Sequence, residues 1–318
     1  MSGHIERPPL PNLPAEAIGR TQLLLRCIAV ALLAWAAPSI AAPLAEGSGS
    51  FVLENDGEPI EVFSYKPEGY SGGPLVIVVH GSDRNAQEYR DYAIPIARRF
   101  NVLVVAPLFD AARFTDDRYK YGGGVLKDGH ARPREQWTFQ AILRLAADVR
   151  RRESSPGLPF HVIGHSGGAQ FAARMAMYLP GDARGFVAAN AGSYTFPTSE
   201  LAFPYGLGGL PPELSDEETL RRYVATPLTL FLGTGDVLQR QEDGFDFRPD
   251  AMAQGPFRLA RGRNFFATMR KLAAEHRWDF NWRLVETPDI AHSGSEMFAA
   301  PEIGEAIFGA EAADLRRR

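Results

Sequence analysis

The stretch at residues 160–168, FHVIGHSGG, constrains the chain more than any other. Its last five residues, Gly164 to Gly168, match G-x-S-x-G around Ser166. An apolar run at 160–163 leads in, and a helix-compatible run at 169–178 follows. In a strand–turn–helix setting this motif makes a sharp turn that lifts the serine Oγ clear of the sheet edge. Gly164 and Gly168 keep side chains out of that crowded turn. The bland alternative is a glycine-rich loop that cradles a phosphate. That loop would need a Lys-Ser/Thr pattern or G-x-G-x-x-G, and neither stands here.

Such a turn belongs to a parallel sheet, and the rest of the chain predicts one. Residues 75–80, 101–107, 183–190, 227–233 and 280–286 are apolar or β-rich runs, as buried parallel strands require. Helical patterns lie between or after them, at 85–99, 136–152, 264–277 and 302–308. A hairpin at 49–54 and 59–65, around Asn55-Asp56-Gly57, precedes them. Alternation of this kind predicts an α/β fold, a mostly parallel central sheet with helices on both faces. Residues 191–225, rich in Pro, Gly and aromatics, break the alternation and read as a short cap insertion. No repeat or linker divides residues 42–318, which read as a single domain.

The N-terminal segment reads differently. Arg20 and Arg26 precede an apolar run at 27–37, and Ser39 and Ala41 offer a small-x-small cleavage site. This is the pattern of a secretory signal peptide over residues 1–41. The run is short for a membrane span, so no stable membrane insertion is expected after cleavage, although an uncleaved anchor is the competing reading. The expected location is periplasmic or secreted. The single cysteine, Cys27, falls in this segment, so the mature chain would have no thiol nucleophile, disulfide or cysteine metal site. Net charge is −4, and removing 1–41 takes away Arg7, Arg20 and Arg26 against Glu6 and Glu16, one more negative. No basic excess points to nucleic acid. The sequence is silent on oligomeric state.

Functional groups of a parallel sheet gather at the carboxyl ends of its strands. A serine hydroxyl needs a base in hydrogen-bond reach, and histidine suits that role near neutral pH. Among the seven histidines, His292 lies in a loop just past the last predicted strand and is the candidate base. His80 is the rival, at the end of an earlier strand, and reads as structural. Asp236 ends the 227–233 strand region and is the candidate orienting acid, with Asp243, Asp246 and Asp250 as substitutes. The spacing of those three substitutes raises a calcium loop as an alternative reading, although it does not follow the EF-hand pattern. No H-E-x-x-H or comparable metal cluster occurs, and neither metal nor cofactor is expected. The oxyanion hole would take the backbone N–H of Gly167 and that of Ser82, in the loop His80-Gly81-Ser82-Asp83.

With the motifs at 78–81, 164–168 and 233–236 and the His292 loop in place, the chain resembles the α/β-hydrolase superfamily. Within it, the chain is similar to secreted polyhydroxybutyrate depolymerase/feruloyl esterase-like serine hydrolases over residues 50–310. The resemblance implies an ester hydrolase acting on a small or oligomeric ester. Polymer-active relatives often carry disulfides or added binding domains, and this chain has neither. Tyr194, Phe196, Phe203 and Tyr205 of the cap, with Tyr119, Tyr121 and Trp137 opposite, suggest an apolar or aromatic substrate; packing of the cap onto the domain explains them equally well. Arg248 and Arg263 are candidate anchors for a substrate carboxylate. Two competing readings remain: a serine peptidase or amidase of the same fold, and a non-catalytic binding protein on a hydrolase scaffold.

Overall fold

Eight strands hydrogen-bond into one sheet in the order β1-β2-β4-β3-β5-β6-β7-β8. They are β1 Gly47–Leu53, β2 Ile60–Lys66, β3 Leu75–Val79, β4 Leu103–Pro107, β5 Phe160–His165, β6 Gly185–Ala189, β7 Leu228–Gly233 and β8 Trp282–Thr287. The computed structural model describes residues 42–124, 130–241 and 244–316. The signal-peptide reading of 1–41 and the candidate Asp243 lie outside them. Pro43–Arg318 forms one compact unit.

The hairpin β1–β2 is antiparallel, Leu53 pairing Ile60, and β2 is antiparallel to β4. Every pairing from β4 through β8 is parallel. Alternation along β3 explains the layers, because successive side chains point to opposite faces. Leu75, Ile77 and Val79 join a core with Ile142, Leu145 and Phe171. Val76 and Val78 join a second core with Tyr89, Ile96 and Phe298. β3, β4 and β5 are buried along their whole lengths, which is why they read as unbroken apolar runs.

The structure departs from the sequence pattern where backbone chemistry intervenes. The helix expected at 85–99 is two helices, Ala86–Tyr92 and Ile94–Phe100, with Pro95 at the first turn of the second. A proline there lacks the N–H that a continuous helix would need. The helix expected from 136 starts at Phe139, because Arg134–Gln136 is a 3-10 turn and Trp137 is extended. Within 191–225, Glu217–Ala225 is the crossover helix before β7, started by Asp216 accepting from the Thr219 N–H. The irregular part of the cap therefore precedes Pro212.

Candidate active site

Ser166 sits at the turn between β5 and the helix Gly167–Tyr178, with φ 55° and ψ −114°. Few non-glycine residues adopt such a backbone, and the surroundings must enforce it. They do so through close approach. A Cβ at Gly164 would lie 2.0 Å from Gly168 O, and one at Gly168 would lie 2.2 Å from Val79 O. The Ser166 N–H donates to Ala189 O at 3.0 Å, tying the turn to the end of β6.

His292 bridges two partners. Its Nε2 lies 3.0 Å from Ser166 Oγ, and its Nδ1 lies 2.8 Å from Asp236 Oδ2. The structure thus brings Ser166, His292 and Asp236 from three strand ends into one hydrogen-bonded chain. Asp236 follows the end of β7, and its side chain is only 1% exposed. Its other oxygen, Oδ1, faces the equally buried Arg258 guanidinium at 3.4 Å. Asp246 instead accepts from Tyr205 Oη and Arg248, and Asp250 lies on the helix Pro249–Gln254. Neither bonds His292.

The Ser82 loop faces the turn. A Cβ at Gly167 would lie 3.3 Å from Ser82 N. Neither the Ser82 nor the Gly167 N–H has a partner among the described residues, so both remain free to donate into the cleft. His80 stands behind this loop. Its Nε2 accepts the Phe109 N–H at 3.1 Å, which leaves the proton on Nδ1, 2.9 Å from Gly81 O. Burial holds the His80 pKa down at about 4, so the ring stays neutral. Tyr119 Oη donates to His80 O and packs on the ring, so Tyr119 braces the loop rather than lining a substrate wall.

A cleft of about 390 Å³ opens beside Ser166. Asp83, Asn85, Tyr92, Gln241, Ser293 and Ser295 line much of it. Hydroxyls, amides and a carboxylate line it beside the rings of Tyr89 and Tyr92, and none of the aromatics that the sequence suggested is among them. Two candidate substrate residues are corrected. Tyr194 is buried and stacks on Phe265 with ring centroids 4.7 Å apart. Trp137 is buried against Phe139 and Tyr178, its Nε1 donating to Arg132 O. Both aromatics satisfy core packing, the bland reading of the same residues. Phe196 is half-buried on Phe265 and joins that cluster. Arg248 and Arg263 are paired to Asp246 and Glu286, so neither stands ready for a substrate carboxylate.

Sequence reasoning missed Arg258, Asn190 and Tyr89. Asn190 accepts from Gly233 N–H and donates to Ala291 O, stitching the ends of β6 and β7 to the His292 loop. A polar residue directly after the apolar run of β6 was the available signal. No comparable signal marked Arg258 or Tyr89.

The fold and the strand-end site define the class: the chain belongs to the α/β-hydrolase superfamily and is a hydrolase resembling polyhydroxybutyrate depolymerases. Among solved structures it is similar to poly(aspartic acid) hydrolase-1 from Sphingomonas sp. KT-1. That match has 38% identity, covers 80% of this chain and 96% of the other, and has a TM-score of 0.75. It is also similar to a poly(3-hydroxybutyrate) depolymerase from Bordetella parapertussis, with 33% identity, 85% and 94% coverage, and a TM-score of 0.74. An esterase from Pyrobaculum calidifontis shares the fold at 12% identity, 98% and 95% coverage, and a TM-score of 0.51. No protein-family model and no curated protein matches the chain.

Proposed function

We propose that this hydrolase cleaves carboxylic esters through an acyl-enzyme on Ser166. The observation that carries the proposal is the bridging His292, 3.0 Å from Ser166 Oγ and 2.8 Å from Asp236 Oδ2. His292 Nε2 takes the Ser166 proton as Oγ bonds to the substrate carbonyl carbon. The developing oxyanion accepts from the Ser82 and Gly167 N–H groups. Asp236 holds the imidazole tautomer and stabilises the imidazolium. The tetrahedral species then collapses, and the alcohol leaves with the proton from His292. Water, deprotonated by His292, releases the acid and restores Ser166.

The polar cleft favours esters with hydrogen-bonding groups near the scissile bond, such as hydroxyalkanoate oligomers, over feruloyl esters. One observation favours a second reading, amide cleavage: the 38%-identical relative bears the name of a poly(aspartic acid) hydrolase, and that polymer is joined by amides. The same acyl-enzyme serves both. Matched panels of hydroxyalkanoate, feruloyl and simple acyl esters against aminoacyl amides separate them. The ester proposal expects ester turnover to exceed amide turnover by orders of magnitude; parity overturns it. Ser166→Ala is expected to lower turnover by about 10³-fold or more and to abolish fluorophosphonate labelling. Retained turnover points to another nucleophile, and a wild type with no turnover on any panel points to the non-catalytic scaffold. Export through residues 1–41 is part of the proposal. N-terminal sequencing of the exported protein should begin at Ala42, and an intact Met1 overturns it.

A further inference from the structure

We infer that Tyr89, acting through His165, is a positioning residue for the Ser166 centre; the inference rests on the acyl-enzyme reading above. Tyr89 lies on the helix Ala86–Tyr92, which follows the Ser82 loop. Its Oη and His165 Nδ1 are hydrogen-bonded at 2.8 Å, and both residues are buried. His165 directly precedes Ser166. On its other side its ring lies against His292, with centroids 4.8 Å apart and planes inclined by 36°.

Two glycines make room for the phenol. A Cβ at Gly81 would lie 2.8 Å from Tyr89 Oη, and one at Gly294 would lie 3.0 Å away. Gly81 precedes Ser82 in the oxyanion loop, and Gly294 stands two residues after His292. The oxyanion loop, the nucleophile turn and the base loop therefore converge on one hydroxyl. Each must keep its place to a fraction of an ångström for proton transfer and oxyanion binding to coincide.

His165 depends on this bond. Its Nε2 is buried and has no hydrogen-bond partner. Without the Tyr89 hydroxyl the imidazole has no polar partner left, and nothing directional stops it turning against His292. The ring is also kept from acting as a base. Burial first, then His292 and Arg258 nearby, hold its pKa well below the usual histidine range. A neutral imidazole wedged between a phenol and the general base has a placing role, not a proton-carrying one.

Tyr89→Phe tests this, because the ring contacts with Tyr92 and Phe298, at 5.4 and 5.9 Å between centroids, survive. With a p-nitrophenyl ester, kcat is expected to fall about tenfold, with KM within about twofold. Affinity for a boronate transition-state analogue should fall in parallel with kcat/KM. His165→Asn made in the Tyr89→Phe background should add little further loss, since both changes break one strut. Tyr178→Phe, removing another buried hydroxyl that has no partner, serves as the neutral control. An unchanged kcat in Tyr89→Phe, a change confined to KM, or a loss that tracks only a lowered Tm overturns the inference. The wild type and Ser166→Ala are run alongside. Retained turnover in Ser166→Ala marks failure of the acyl-enzyme reading itself. Loss of turnover in Ser166→Ala with an unaltered Tyr89→Phe marks failure of the positioning role alone.

Discussion

At the scale of single residues, the site rests on a carboxylate removed from water. Asp236 and Arg258 side chains are each 1% exposed, and Asp236 keeps one oxygen for Arg258 and the other for His292. Held from both sides in this way, the carboxylate keeps a fixed orientation toward the imidazole. Asp236→Asn keeps the shape but can present an N–H where His292 Nδ1–H now donates. The imidazole is then driven to the wrong tautomer, its Nε2 protonated toward Ser166. We expect kcat to fall by about 10³- to 10⁴-fold with KM little altered. Steady-state kinetics on the folded variant decide it, and a loss below about tenfold sinks the role given to Asp236.

At the scale of elements, the strand–turn–helix unit packs backbone directly against backbone at its glycines. A methyl at Gly164 would strike Gly168 O at 2.0 Å and Gly168 C at 2.2 Å, and neither atom belongs to a side chain that could swing away. Gly164→Ala must push the helix Gly167–Tyr178 off the sheet or bend β5. We expect a loss of about 3 kcal/mol in stability, read from a urea midpoint, together with loss of turnover in whatever remains folded. A variant as stable and as active as the wild type refutes the close-approach account. The same unit explains what the sequence could convey. Ser166, Asp236 and His292 were legible because each sits next to the carboxyl end of a strand, a position that apolar runs mark locally. That β3 to β8 exist as strands of a parallel sheet was legible for the same reason. Arg258 was not, because its partner Asp236 lies in a different segment and no periodicity links them. Tyr194 and Trp137 were misjudged because an aromatic in a loop looks the same whether it faces a cleft or a core. Only Phe265 and Tyr178, brought up by distant helices, together with the neighbouring Phe139, decide between the two.

At the scale of the whole molecule, one sheet separates two apolar cores, and neutral histidines are sealed into both ends of it. His80 and His161 are each held down at about pKa 4, chiefly by burial, with Arg84 adding for His80 and Arg283 and Arg184 for His161. In the unfolded chain both titrate near the ordinary value of about 6.5. The sign follows from proton counts. Above about pH 6.5 both states are neutral at these sites and stability is insensitive to them. Between about 6.5 and 4 the unfolded chain binds protons that the folded one refuses, so stability falls as pH falls. Each histidine contributes a slope of up to about 1.4 kcal/mol per pH unit in that window. Glu58 and Asp246, whose pKa values are lowered by Arg118 and Arg248, extend the loss to more acid pH but add little above it. Urea midpoints measured from pH 7.5 to 4.5 should therefore be flat and then decline. His161→Gln removes one titrating group whose Nδ1 makes no hydrogen bond, so it should flatten the decline by about one group's share. An undiminished slope in that variant means that His161 already takes up its proton in the folded state, and that the lower edge of the sheet is wetter than the packing of His161 against Phe308 implies.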